Sequence, residues 1–170
     1  MAEELQIPQL LERLKGFSIV ERVILAHDGT VVTLLAMLFG QPITVRVVQQ
    51  REEPDAMTPW GHRGPAFLRT VDLMAGQRTV AVANSIIPFH GNHEWVLDLV
   101  RKREMGIGAI TAHLGIPTIR LPRGVGRRGG CFWREYDMRG QCVAFAIEER
   151  FPTPIYRELM CPQEAIPEAV

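Results

Sequence analysis

The chain has very few lysines and no formal net charge. Only two of its 170 residues are lysines, Lys15 and Lys102, and 19 basic residues balance 19 acidic residues, so the formal net charge is zero. A neutral protein has no overall field that attracts nucleic acid or an anionic membrane surface. We therefore expect neither partner. The basic residues are mostly arginines, which suit bidentate binding of carboxylates.

Cysteine pairs, a leader pattern and long apolar runs are also missing. The three cysteines, Cys131, Cys142 and Cys161, are odd in number and lack the spacing of metal ligands. No charged-then-apolar segment opens the sequence, and no apolar run reaches the ~20 residues of a membrane-spanning helix. These absences predict a reduced, cytoplasmic protein with no membrane span.

The composition is typical of one globular domain. Hydrophobic residues make up 46% of the chain and charged residues 22%, and 170 residues suffice for one core. We predict a single domain over residues 1–170, with its core in 25–156 and a loose tail over 162–170.

Hydrophobic periodicity predicts an α+β fold. The predicted helices cover residues 5–14, 31–39, 93–103 (capped by Asn92) and 106–114, and the predicted strands cover 43–50, 67–74, 78–87, 118–121, 132–138 and 141–151. Residues 51–64, which include Trp60 and His62, are predicted to form a loop. Most connections are short hairpins, so we expect a single antiparallel sheet of about six strands with helices packed on one side.

Three ionisable residues interrupt strand faces that are otherwise apolar: Arg69, Arg134 and Glu149. Alternate residues of a strand share a face, so each is predicted to point into the core. Glu148 falls on the opposite face and is predicted to be solvated. Burying an isolated charge costs several kcal/mol, so such groups are expected to be paired or to line a cavity.

The balance of these inward charges leaves two interpretations open. Glu149 can form an internal ion pair with one arginine, but the second arginine then keeps an unmatched positive charge. An anionic ligand would balance that charge, and the pattern therefore predicts an internal pocket for a small carboxylate-bearing molecule. Burial favours a neutral Glu149, able to act as a general acid, whereas nearby arginines favour its carboxylate. The sequence does not decide between these forms.

Five short motifs follow one another in a definite order. They are the strand with Arg69, Ser85-Ile86-Ile87-Pro88, Met105-Gly106-Ile107-Gly108, the strand with Arg134, and Ile147-Glu148-Glu149-Arg150-Phe151. Over residues 25–156 this order resembles the chorismate lyases, in particular their shorter and divergent bacterial and archaeal branch. The resemblance implies a chorismate pyruvate-lyase that converts chorismate to 4-hydroxybenzoate and pyruvate, for ubiquinone or other aromatic-acid biosynthesis. It also implies no cofactor; we expect a monomer or weak homo-oligomer.

The resemblance assigns roles to five residues. Arg69 matches the arginine that holds a carboxylate of substrate and product. Glu149 matches the acidic residue of the Thr-Glu-x-Phe motif, which meets the hydroxyl end of the product, and these two are the predicted catalytic residues. Ile107 stands where the family has leucine, Thr30 lies near a residue that starts an early helix and lines the site, and Arg134 matches an arginine of the next-to-last strand. We predict that Arg69, Ile107, Arg134 and Thr30 form the substrate-binding set, and that Glu149 hydrogen-bonds the ring hydroxyl or the departing side chain.

Two departures from the family keep other functions open. Glu148 replaces the threonine of the motif, and Asn84 replaces a second arginine that some members carry, for which Arg134 or Arg46 would have to compensate. A related enzyme could therefore make another hydroxybenzoate, such as 3-hydroxybenzoate. An effector-sensing module of the same fold is a further alternative, although only about 25 residues precede the matching region, too few for a helix-turn-helix domain.

Two other motifs are weaker. Residues 124–129 match Gly-x-Gly-x-x-Gly but precede a strand, whereas a dinucleotide fingerprint follows one. Residues 120–128 are predicted to be a mobile basic loop over the pocket. His90, His93 and Glu94 lack the His-Glu-x-x-His spacing, so no metal site is predicted.

Overall fold

Residues 5–160 of the chain form six helices and six strands in a computed structural model. In chain order these are α1 (Ile7–Leu14), α2 (Ile19–Ala26), α3 (Val31–Phe39), β1 (Ile43–Met57), β2 (Arg63–Ala75), β3 (Arg78–Pro88), α4 (Glu94–Lys102), α5 (Ile107–His113), β4 (Thr118–Arg128), β5 (Cys131–Gly140), β6 (Val143–Pro152) and α6 (Thr153–Met160). The predicted tail over 162–170 lies outside the described residues.

The six strands form one sheet in the order β1-β2-β3-β6-β5-β4, and every neighbouring pair is antiparallel. This confirms the predicted α+β class and the single antiparallel sheet. Tight turns join β2 to β3 and β4 to β5, where Gly76, Gly129 and Gly130 have φ angles of 57°, 59° and 75°. Positive φ angles favour glycine because it has no Cβ atom.

The helices cover one face of the sheet, where two apolar clusters form. One cluster joins α2, α3 and α6 to the strands and includes Phe132, Phe151 and Tyr156, whose ring centroids lie 5.0 to 6.0 Å apart. The other joins α4 and α5 to the opposite end of the same face, around Phe67 and Phe145. Arg69, Arg134 and Glu149 belong to this covered face, as their alternation predicted.

Several predicted elements are wrong in extent. The predicted loop over 51–64 is mostly strand, since β1 continues to Met57 and β2 begins at Arg63. The predicted mobile loop over 120–128 belongs to β4, an edge strand paired with β5. A Cβ atom on Gly124 or Gly126 would lie 3.0 or 2.8 Å from the ring of Trp133. These glycines therefore make room for a cross-strand tryptophan.

Asn92 does not cap the helix that follows it. α4 begins at Glu94 and its N-cap residue is His93. Asn92 is buried instead, donates to the carbonyls of Pro88 and Ala144 at 2.6 and 2.9 Å, and accepts from the Ala144 amide at 2.9 Å. Its side chain thus ties the end of β3 to the start of β6. None of the helices in residues 5–160 has the length and apolar character needed to traverse a lipid bilayer.

Candidate active site

A cavity of about 570 Å³ lies between the covered face of the sheet and the first turns of α3 and α5. Four of the predicted site residues line it: Arg69, Glu149, Thr30 and Ile107. Arg134 does not line this cavity and lies behind Glu149. The fold thus brings together residues that are up to 119 positions apart in the sequence, between Thr30 and Glu149.

Arg69 carries the unmatched positive charge that the sequence analysis anticipated. The residue is 2% exposed, and its Nη2 donates to the carbonyl of Met105 at 2.5 Å. Its Nε and Nη1 atoms have no hydrogen-bond partner among residues 5–160. Burial lowers the pKa of the guanidinium, and the charge of Arg103 lowers it further. Both effects disfavour the cation in the empty site, so an anion at this position would be stabilising.

Glu149 is held by two donors on β5. Its Oε2 lies 2.6 Å from Nε of Arg134, and its Oε1 accepts a hydrogen bond from the hydroxyl of Tyr136 at 3.0 Å. The Arg134 and Glu149 residues are each 3% exposed. The internal ion pair considered from the sequence is therefore present, and its cation is Arg134.

Arg134 is largely occupied by groups other than a ligand. Its Nη1 donates to the carbonyls of Ile24 and His27, at 2.7 and 2.5 Å, at the end of α2. Its Nη2 is buried without a partner among the described residues. Arg134 thus connects Glu149 to a helix terminus. This arrangement supports a positioning role rather than the predicted substrate contact.

Tyr136 is a cavity residue that the sequence analysis passed over. Burial raises the pKa of its hydroxyl well above its ordinary value of 10.0, and the charge of Glu149 adds to this effect. The hydroxyl therefore remains a proton donor to Glu149 across the neutral range. Strand alternation could have identified it, because Tyr136 is two residues from Arg134 and therefore shares its strand face.

The strand register sets the separation of the two predicted catalytic residues. Arg69 stands opposite Ser85, and Glu149 stands opposite Ala83, two residues earlier in β3. Two strand spacings of about 4.8 Å therefore separate their backbones laterally by roughly 10 Å, and the two-residue offset adds about 6.6 Å along the strands. Their side chains converge on the intervening cavity, whose floor includes Ser85.

The starts of α3 and α5 meet across the cavity mouth. A Cβ atom on Gly108 would lie 3.4 Å from Cγ2 of Thr30, and one on Gly106 would lie 3.4 Å from Cγ2 of Val45. These distances are ordinary van der Waals contacts, so the start of α5 packs directly against Thr30 and against Val45 of β1. At this mouth Thr30 is exposed and Ile107 is half-buried. Both residues line the cavity, and neither contributes a charge.

Asn84 and Arg46 lie away from the cavity. Asn84 is on the opposite face of β3, where its side-chain oxygen accepts from the hydroxyl of Thr70 at 2.9 Å. Arg46 is an exposed residue that pairs with Asp72 at 2.5 Å. Neither Asn84 nor Arg46 therefore lines the cavity at Arg69.

A second hollow of about 490 Å³ lies on the opposite face of the sheet. Two of its charged residues have ion-pair partners: Arg123 lies 2.8 Å from Asp137, and Glu148 lies 2.5 Å from Arg150. Glu148 is half-buried on this face, which confirms that it points away from Glu149. Arg69 borders this hollow as well, and its guanidinium keeps nitrogen atoms without a partner among residues 5–160.

The histidines singled out from the sequence lie elsewhere. His62 and His90 stack with ring centroids 4.6 Å apart, while Trp60 lies under the guanidinium of Arg139 at 3.8 Å. None of these residues lines the cavity at Arg69. Within residues 5–160, no group of three or more His, Cys, Asp or Glu side chains is close enough to share a metal ion.

No protein-family model matches the chain, and no curated protein matches it.

Proposed function

We propose that this protein is a chorismate pyruvate-lyase, which eliminates pyruvate from chorismate to give 4-hydroxybenzoate. The observation that carries the proposal is the buried guanidinium of Arg69, whose Nε and Nη1 have no partner among residues 5–160, in the same cavity as the oriented carboxylate of Glu149. Guanidinium groups bind planar carboxylates through two parallel hydrogen bonds, which here would come from the second hydrogen of Nη2 together with Nε or Nη1. A benzoate with a para hydroxyl group complements both ends of this cavity.

In the proposed complex the ring carboxylate of chorismate binds Arg69. The ring hydroxyl group then donates to Glu149, whose two oxygen atoms are already oriented by Arg134 and Tyr136. Apolar cavity residues, including Val71, flank the ring and exclude water. Such fixed orientation of a reactant removes part of the entropic barrier before the chemical step.

The reaction conserves every atom of the substrate. The ring carbon that bears the hydroxyl group loses its hydrogen as a proton, the ether bond to the enolpyruvyl group breaks, and the ring becomes aromatic. The departing enolpyruvate takes up a proton at its methylene carbon and becomes pyruvate. Aromatisation supplies much of the driving force, so the protein acts mainly by orienting and shielding the substrate. By resemblance to the lyases, the reaction uses no cofactor.

Glu149 is the residue best located to manage the proton. Its carboxylate borders the cavity and has a defined orientation, which suits proton transfer over hydrogen-bonding distance. Arg134 provides a permanent countercharge behind it. In this scheme Arg69 and Glu149 touch the substrate, while Arg134 acts through Glu149.

The test is product analysis after incubation of the purified protein with chorismate. We expect equal amounts of 4-hydroxybenzoate and pyruvate, and at least a 100-fold lower rate for Arg69→Gln and for Glu149→Gln. The matched control is Arg46→Gln, because Arg46 is an exposed arginine outside the cavity. This variant should keep full activity. Formation of 3-hydroxybenzoate would identify a related chorismate enzyme. Tight binding of 4-hydroxybenzoate without turnover would identify an effector-binding module, and either result would refute the lyase proposal.

A further inference from the structure

Arg120 is a second cationic group in the cavity of Arg69. It lies on β4, the strand that the sequence analysis interpreted as a loop, and its side chain is half-buried between this cavity and a small adjoining one. Its Nη1 donates to the backbone carbonyl of Asp28. Its Nε is buried without a partner among residues 5–160.

The charge of Arg120 is not matched by an acidic side chain. Within residues 5–160 no carboxylate forms an ion pair with it, because the group that it binds on Asp28 is the neutral carbonyl. Besides Glu149, whose ion-pair partner Arg134 lies behind it, the cavity is therefore bordered by two cations, Arg69 and Arg120, and by the exposed carboxylate of Glu104, which forms no ion pair with either of them. A ligand with one carboxylate balances only one of these cations.

The two arginines approach the cavity from different sides. Arg69 is on β2, whereas Arg120 is on β4, where it stands opposite Met138 of β5. Three strands, β3, β6 and β5, lie between them in the sheet. The ring of Tyr136 lies between the two groups, with the Cζ atom of Arg120 5.7 Å from its centroid. A ligand that touches both must carry its anionic groups on separate arms.

We infer that Arg120 binds the second carboxylate of a dicarboxylate substrate and so distinguishes the substrate from its monocarboxylate aromatic product. This inference rests on the proposed function. With the ring carboxylate on Arg69 and the ring hydroxyl at Glu149, the enolpyruvyl arm starts next to the hydroxyl-bearing carbon. Its carboxylate is then directed to the third polar corner of the cavity, which Arg120 occupies.

Arg120 thereby supplies the contact with the enolpyruvyl carboxylate, for which Arg134 and Arg46 are not suited. Arg134 is engaged with Glu149 and two carbonyls, and Arg46 lies outside the cavity. Once the ether bond breaks, the carboxylate held by Arg120 belongs to pyruvate. The aromatic product keeps its contacts with Arg69 and Glu149 and has none with Arg120.

The experiment compares two stable probes by calorimetric titration. One is 4-hydroxybenzoate, with one carboxylate, and the other is 3-(carboxymethoxy)-4-hydroxybenzoate, in which a carboxymethyl ether replaces the enolpyruvyl arm. For Arg120→Gln we expect about 10-fold weaker binding of the dicarboxylate and less than about 2-fold change for the monocarboxylate. Arg120→Lys should recover part of the lost affinity. Arg69→Gln should weaken both probes.

Arg123→Gln is the control for the loss of one arginine from β4, because Arg123 lines the hollow on the opposite face of the sheet. It should leave both affinities unchanged. Equal weakening of both probes by Arg120→Gln would show that Arg120 only ties β4 to Asp28, and no effect on either probe would show that it is idle. Both results overturn the inference, as would failure of the dicarboxylate to bind the unaltered protein.

Failure of the proposed function is a separate result. If chorismate is not turned over but the two probes still respond differently to Arg120→Gln, the lyase proposal falls and the dicarboxylate site stands. If chorismate is turned over and the probes respond alike, the lyase proposal stands and the role of Arg120 falls.

Discussion

The carboxylate of Glu149 lies 2.6 Å from the guanidinium of Arg134 in the interior of the protein, whereas Arg69 has no carboxylate partner in the described part of the chain, residues 5–160. The covered face of the sheet therefore combines a closed ion pair with an open cation. In a buried ion pair each charge compensates the other. An unmatched buried cation lowers the free energy of unfolding, and a structural role does not explain this loss. Arg69 is thus the group whose presence indicates a ligand.

Arg69 should reduce the stability of the empty protein. Burial and the charge of Arg103 disfavour its cation, so Arg69→Met removes a cost, although the hydrogen bond to Met105 is lost. We expect a free energy of unfolding equal to or up to about 1 kcal/mol above that of the unaltered protein. Urea denaturation without ligand measures it. A loss of more than about 1 kcal/mol would mean that Arg69 is structural.

Substitution of Arg134, unlike that of Arg69, should lower the free energy of unfolding. Arg134→Gln leaves Glu149 as an uncompensated buried charge and removes donors from the Ile24 and His27 carbonyls, so we expect a loss of about 3–5 kcal/mol. Adding Glu149→Gln should restore part of it, and a double-mutant cycle measures the coupling. Arg150→Gln, which breaks a more exposed pair with Glu148, should cost less than about 1 kcal/mol. Additive effects of the two buried changes would contradict the ion pair.

Tyr136 and Tyr156 offer a matched test of the Glu149 environment. Both hydroxyls are buried donors, Tyr136 to Glu149 at 3.0 Å and Tyr156 to the carbonyl of Val80 at 2.7 Å. Tyr136→Phe and Tyr156→Phe should each lose about 1 kcal/mol of stability. Only Tyr136→Phe should lower the turnover of chorismate, by about 10-fold or more, because it frees one oxygen of Glu149. Equal turnover by the two variants would exclude this role for Tyr136.

Glu21 should make stability depend on pH in the acid range. Burial raises the pKa of its carboxyl group, but hydrogen bonds from Ser18 and the charge of Arg127, 2.6 Å away, outweigh burial and hold it below 4.5. A lowered folded pKa stabilises the protein above 4.5, and this contribution is lost as the pH falls through the folded value. Glu21→Gln should therefore cost about 1–2 kcal/mol at neutral pH.

The same substitution should cost less at pH ~3, where Glu21 of the unaltered protein is increasingly protonated. Urea midpoints of both proteins at the two pH values provide the comparison. A cost that is the same at both would show that Glu21 contributes through packing and not through its charge.

Alternation of side chains made much of the fold predictable. The two central hairpins, the sheet class and the inward direction of Arg69, Arg134 and Glu149 all follow from strand periodicity. Pairing partners do not, since they depend on register between strands that are far apart in the sequence. Only the structure shows that Glu149 stands opposite Arg134 and that Arg69 has no carboxylate partner among residues 5–160.

The missed elements have local physical causes. β4 contains Pro122, Gly124 and Gly126, a composition typical of loops, but an edge strand tolerates proline and Trp133 requires the glycines. The helix α2 was missed although Ser18 and Glu21 form a capping box whose pattern is present in the sequence. Because β4 was interpreted as a loop, Arg120 was not recognised as a cavity residue.

Titration of the protein with 4-hydroxybenzoate, followed by calorimetry, tests the central claim most directly. We expect one molecule to bind per chain, with affinity reduced at least about 100-fold by Arg69→Gln and unchanged by Arg46→Gln. Absence of binding, or binding that survives Arg69→Gln, would contradict the assignment of Arg69 as the carboxylate-binding group of this cavity.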